Sequence, residues 1–213
     1  MLALLLAAVV MPSDPQAALK SVADRVHSAV IEVRAEAAVV VPGDAGDTLV
    51  PTATFGAGVL VGNGLAVTTL HTVGMVAPGK FAPWKNIEVL LPRHGVVSGE
   101  LLGWYPEYDL AVLRVPDAVD APPALATELP APGAPLLAMG ADDQAVNVVG
   151  VQLAGVSGDV LLLTSVHAVD SRYWGGPVFD AQGRLAGITL PAVMPRALSS
   201  VALASLLQHL HDP

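Results

Sequence analysis

The sequence predicts an all-β fold of two six-stranded antiparallel β-barrels, with short N-terminal and C-terminal helices. Three observations carry this. Apolar residues make up 53% of the 213, yet past the start of the chain they come in short β-branched runs, as strands of a core do. Gly 20 and Pro 18 punctuate those runs, and these are the residues that turns between strands require. A proline-rich stretch at residues 116–135 divides the runs into two groups, roughly six on each side, which is the count of two small barrels.

In chain order, a helix is expected first. Ser13 or Asp14 can cap it, Pro15 suits its first turn, and Leu19, Val22 and Val26 recur on one face. The period then changes to strands at Val30–Val33, Ala57–Val61, Leu65–Thr69 and Ile87–Leu91, and continues over His94–Leu102 and Leu110–Val115. Prolines at 116, 122, 123, 130, 132 and 135 follow. Proline supplies no amide donor, so this stretch is expected to be a surface linker rather than a central strand. Strands resume at Leu136–Met139 and run through Asn147–Val156, Val160–Val166, Val178-Phe179 and Leu185–Leu190. Asp180-Ala181-Gln182-Gly183 reads as a hairpin turn, and Val201–Leu210 as a closing helix with Ser199 or Ser200 near its start. The organisation expected is therefore an apolar segment at 1–12 and one domain at 13–213. That domain divides into 13–115 (helix and first barrel), the linker 116–135, and 136–213 (second barrel and closing helix).

Composition narrows the function. Ten Lys and Arg face nineteen Asp and Glu, for a net charge of −9, so nucleic acid is not an expected partner. The absence of cysteine removes disulfides, zinc thiolate sites and thiol catalysis together. Mean hydropathy is +0.59, but the longest apolar run, Met1 to Met11, is about half of what a membrane-spanning helix needs. No integral membrane span is expected. That run suits the apolar region of a signal peptide, with Ala17-Ala18 near a cleavage point, although no basic residue precedes it. Export to a periplasmic or secreted location is the expectation, with the cytoplasm as the alternative. Oligomeric state is not readable.

Three segments carry chemistry. Gly56-Ala57-Gly58-Val59-Leu60-Val61 leads into Leu65-Ala66-Val67-Thr68-Thr69-Leu70-His71-Thr72-Val73. Tyr108-Asp109-Leu110-Ala111-Val112-Leu113 follows, and Gly175-Gly176-Pro177-Val178-Phe179-Asp180 with Gly183-Arg184-Leu185-Ala186-Gly187-Ile188-Thr189 closes the set. Together these resemble the His, Asp and Ser segments of trypsin-like (chymotrypsin-fold) serine proteases of the bacterial HtrA (Deg) type, over about residues 15 to 210. The resemblance implies a double barrel with a cleft between its halves. It makes His71 the general base and Asp109 its orienting partner, since a hydroxyl is a weak nucleophile until an imidazole takes its proton.

The nucleophile that the resemblance calls for is missing. In the register set by Gly175-Gly176-Pro177, the serine position holds Trp174, the residue before it is Tyr173, and the glycine before that is Arg172. Indole has one N–H donor and no usable nucleophile. Arg172 is expected to restrict the backbone where glycine turns its amide toward the developing oxyanion, so the loop Arg172, Tyr173, Trp174 and Gly175 is a damaged oxyanion loop. Tyr173 and Trp174, two of only nine aromatics, are the expected binding residues at the cleft mouth; the alternative for Trp174 is that it plugs the vacated space as core. Ser171, Thr164 and Ser165 are the hydroxyls that could stand in for the lost serine. His27, His94, His167, His209 and His211 lack ligand spacing, so neither a metal nor a cofactor is expected. The function expected is that of a pseudoprotease, a peptide- or protein-binding or scaffolding module using the old cleft. The alternative is an active serine endopeptidase or hydrolase using a displaced Ser or Thr with His71.

Overall fold

The computed structural model describes residues 15–42, 46–77, 80–115, 121–142 and 145–210. The signal-like segment 1–12, the expected caps Ser13 and Asp14, and His211 lie outside them. Helix α1 (Pro15–Val26) opens the described chain, with Val22 and Val26 buried.

The first half is a seven-stranded antiparallel sheet. Its strands are β1 (Val30–Val41), β2 (Thr48–Gly62), β3 (Leu65–Thr69), β6 (Lys85–Leu91), β7 (Gly95–Ser98), β8 (Glu100–Tyr105) and β9 (Leu110–Arg114), in the order β7-β6-β1-β2-β3-β9-β8. A one-turn helix α2 (Leu70–Val73) and a ribbon of β4 (Gly74–Ala77) and β5 (Lys80–Pro83) interrupt it after β3. The two edge strands β7 and β8 are consecutive in the chain, with only Gly99 between them. A sheet whose opposite edges are joined by one residue has to curl until those edges meet, and this is a barrel in all but its last hydrogen-bond ladder. The expected strand His94–Leu102 is thus real but bent. At Gly99 a Cβ would point inward, 3.1 Å from Val89 and 3.2 Å from Ile87, so glycine lets the chain cross.

The second half is a closed barrel of β10 (Pro135–Asp142), β11 (Ala145–Ser157), β12 (Val160–Thr164), β13 (Pro177–Phe179), β14 (Leu185–Leu190) and β15 (Arg196–Ser199), in the order β10-β11-β12-β15-β14-β13. Between the halves, residues 121–134 contain only the isolated bridge of Leu125 with Leu185. Helix α3 (Ser200–His209) follows β15, capped by the Ser199 hydroxyl, which accepts from the Ala202 amide.

One buried cluster runs through both halves. Ile31, Val59 and Leu113 of the sheet belong to it with Leu137, Met139, Phe179 and Ile188 of the barrel. A smaller cluster fills the barrel itself around Leu136, Val149, Leu161 and Tyr173. Among the described residues no helix is long and apolar enough to cross a membrane.

Candidate functional site

His71 stands on α2, directly after the fully buried end of β3. This turn is pinned by polar side chains. The Thr54 hydroxyl donates to the Thr72 carbonyl at 2.6 Å, and the Thr69 and Thr72 hydroxyls bond at 2.7 Å. Asp109 follows the 3-10 turn Pro106–Tyr108 at φ +52, a left-handed conformation that Asp tolerates better than most residues. There its carbonyl accepts from the Leu70 amide at 2.8 Å, and Oδ1 accepts from the His71 amide at 3.1 Å. Oδ2 lies 2.6 Å from His71 Nδ1. A carboxylate only accepts, so Nδ1 donates and a neutral imidazole keeps Nε2 as its acceptor, turned away from Asp109. The His71 and Asp109 side chains are 42% and 26% exposed.

The loop of the second half faces this pair. Ser171–Tyr173 forms a 3-10 turn, and Trp174 follows in extended conformation at φ −61 and ψ 130. The Trp174 ring is half-buried and meets the His71 ring edge to face, with centroids 5.8 Å apart and an interplanar angle of 82°. Asp170 caps the turn. Its carboxylate accepts from the Arg172 amide at 3.1 Å, from Nε at 3.0 and 3.2 Å, and from Nη2 at 2.7 Å. These bonds to Arg172 hold the Asp170 carboxyl below its ordinary range and raise the Arg172 guanidinium. The Trp174 amide donates to the Ser171 carbonyl at 3.2 Å. In acyl transfer at a site of this kind, the amides of the nucleophile and of the residue two before it hold the oxyanion. Here both amides, those of Trp174 and Arg172, are bonded within the loop.

Gly175 and Gly176 seat the loop against the rest of the molecule. Gly175 has φ +80, and a Cβ there would lie 2.5 Å from the Ala57 carbonyl oxygen and 2.8 Å from the Thr69 nitrogen. At Gly176 a Cβ would fall 2.1 Å from the Met139 carbonyl oxygen. The Gly175 amide donates to the Thr189 carbonyl at 2.9 Å, and the Thr189 hydroxyl donates to the Tyr173 carbonyl.

A sequence profile described as "Trypsin-like peptidase domain" matches residues 56–188, from β2 through most of β14. The chain belongs to the trypsin-like peptidase domain family. No curated protein matches this trypsin-like chain. Solved structures do, at the level of fold. Similarity to the active form of the Rv3671c protease from M. tuberculosis covers 93% of this chain and 87% of that one, at 18% identity and a TM-score of 0.73. The inactive form of the same protease gives 0.69, at 18% identity over 93% of this chain and 96% of that one. A serine-to-alanine variant of the HtrA-type protease AlgW, solved with a decapeptide, is similar over 90% of this chain and 66% of that one, with 20% identity and a TM-score of 0.77.

Within the trypsin-like fold, the structure brings His71, Asp109 and Trp174 together from three separate segments. It does not bring Tyr173 to the cleft mouth, where the sequence reading places it. Tyr173 is 7% exposed and packs in the barrel core, where burial raises its hydroxyl pKa. The 3-10 turn is the cause, because it swings neighbouring side chains in different directions and the barrel interior takes the first of the two rings. Nor is Arg172 simply an obstruction. It lies inside the turn, and its amide and guanidinium share one carboxylate. Of the possible substitute hydroxyls, Ser165 donates to the Gly150 carbonyl at 3.1 Å and accepts from the His167 amide, while Ser171 and Thr164 are exposed. Among the described residues no hydroxyl bonds the His71 ring, and no group of three His, Asp or Glu could hold a metal.

A further exposed aromatic lies on β2. Phe55 is 61% exposed on β2, on the same face as Ala57, and a Cβ at Gly176 would lie 3.2 Å from the Ala57 side chain. The Arg34 guanidinium covers the Phe55 ring at 5.5 Å, held from behind by the buried Glu32 at 2.6 Å. The strand expected from the sequence begins at Ala57, which leaves Phe55 outside it. A cavity of about 580 Å³, bordered by His27, Glu32, Arg93 and Ala141, touches neither His71 nor Trp174.

Proposed function

We propose that this trypsin-like domain is a pseudoprotease that binds a peptide or protein segment across the former cleft and does not cleave it. The observation that carries this reading is the Trp174 ring against His71, 5.8 Å between centroids, where acyl transfer needs a hydroxyl. His71 and Asp109 are then a relict base and orienter, kept because their hydrogen bonds build the local structure. Trp174 is the anchor of the bound segment, since half-buried indole offers apolar area with little rotamer entropy to lose. Phe55 on the neighbouring strand is its second contact. The AlgW neighbour was solved with a decapeptide, which supports a peptide as the class of ligand. The apolar residues 1–12 support export.

The test combines a fluorophosphonate probe, casein turnover and selection from a random decapeptide library. The expected result is no labelled serine, no turnover, and selected peptides whose affinity falls at least about tenfold in Trp174→Ala. A labelled serine or threonine would instead favour the hydrolase with a displaced nucleophile. Export is checked by N-terminal sequencing of the protein from its source. A start between Pro12 and Leu19 is expected, and an intact Met1 in a cytoplasmic fraction would count against it.

A further inference from the structure

We propose that Asp170 is a positioning residue that keeps this loop closed on itself: its carboxylate occupies the Arg172 amide that would face an incoming carbonyl oxygen, and the turn it caps delivers Trp174 to His71. The loop is fixed from three sides. Behind it, β10 comes so close that a Cβ at Gly140 would lie 2.1 Å from the Arg172 carbonyl oxygen. On the barrel side, Thr189 holds the Tyr173 carbonyl, and Tyr173 itself is anchored in the core. On the solvent side, where both side chains are partly exposed, the Asp170 carboxylate closes the loop with one oxygen shared by the Arg172 amide and Nε, and the other taken by Nη2 and Nε.

The Asp170 interaction differs from an ordinary surface ion pair. A carboxylate that bonds only a guanidinium restrains two side chains. This one also bonds a main-chain amide, and the Asp170 carbonyl accepts from the Tyr173 amide at 3.0 Å, so side chain and backbone together set the first turn. The Trp174 amide reaches the Ser171 carbonyl only while that turn is wound. Removing the carboxylate therefore acts on a residue it does not touch. The charged and titratable groups around the loop are Arg172 and Tyr173 in the turn itself, Asp142 at the end of β10, and His71 and Asp109 opposite Trp174.

The experiment is amide hydrogen exchange, followed by NMR on the full chain, in the parent, Asp170→Ala and Asp170→Asn. In Asp170→Ala the amides of Arg172 and Trp174 are expected to exchange at least tenfold faster, with those of Val178 and Phe179 unchanged as the control for folding. Asp170→Asn keeps the shape and a weaker acceptor, so it should fall between, and it carries the test if the alanine variant does not fold. Faster exchange at Arg172 alone, with Trp174 as in the parent, would reduce Asp170 to a surface ion pair and overturn the proposal. Neither readout involves a bound peptide, so the outcome is separate from that of the peptide-binding test.

Discussion

Gly175 is the residue on which the seating of the loop depends most. Its φ of +80 is costly for any residue with a Cβ, and the added atom would overlap two main-chain atoms of the other half. Gly175→Ala should therefore lose about 3 kcal/mol or more, read from the urea midpoint. Asp170 gives a different kind of prediction, one in pH. Its folded pKa is lowered, first of all by the Arg172 hydrogen bond. The stability it contributes is then complete above the ordinary carboxylate value and lost as pH falls through the lowered one. Urea midpoints at about pH 6 and about pH 2.5 should show a smaller acid loss in Asp170→Asn than in the parent. Equal losses would mean that Asp170 does not contribute. At this scale the sequence was informative wherever position alone mattered. His71, Asp109 and Trp174 lie beside one another, the arrangement that the resemblance of their three segments implies. The fate of Tyr173 was not readable, because the direction of its ring depends on a 3-10 turn whose cap and backing come from Asp170 and β10.

Among the elements, the β13–β14 hairpin shows how much one side chain can organise. Asp180 Oδ1 accepts from the Gln182 and Arg184 amides, both at 2.9 Å, and Oδ2 accepts from Arg184 Nε at 2.7 Å. The turn residues Asp180 to Gly183 were legible for this reason, since Asx side chains bonding the backbone just ahead are what turn chemistry consists of. Asp180→Ala should cost about 2 kcal/mol in denaturant unfolding, because the carboxylate is largely buried and serves three donors. Other elements were read short or missed. β1 and β2 continue as a ladder from Arg34↔Phe55 to Val41↔Thr48, beyond the expected Val33 and before the expected Ala57. That part of β2 contains Pro51 and three threonines and is largely exposed, so hydrophobic alternation gives it no signal. β15 went unread because it is short and merges into α3, with the barrel ladder rather than local preference making it a strand.

For the whole molecule, the shared core decides how the halves behave. Buried side chains from the curled sheet and the closed barrel form one cluster, and two tyrosines reinforce the junction. Tyr105 donates to the Leu206 carbonyl of α3 at 2.7 Å, and Tyr108, next to Asp109, donates to Asp159 at 2.9 Å. Neither half can unfold without exposing the apolar surface of the other. A single unfolding transition is expected, with far-UV circular dichroism and tryptophan emission giving the same midpoint. Tyr105→Phe should lower that midpoint, at a cost of about 1 kcal/mol, without splitting the transition. Separate midpoints for the two signals would show the halves to be independent.

The crowding around Gly175-Gly176 has a consequence for how such chains are recognised. The pair that accompanies a catalytic serine is here a keystone of the architecture, wedged against Ala57, Thr69 and Met139. A hydroxyl can disappear from the loop and leave both barrels intact, whereas a methyl group added to either glycine cannot be accommodated without moving backbone. Gly-Gly-Pro is thus a signature of how two barrels are joined, and the packing that demands it does not depend on the residue before it. A chain bearing it declares its ancestry through its masonry, whichever residue stands in front of the pair, here Trp174.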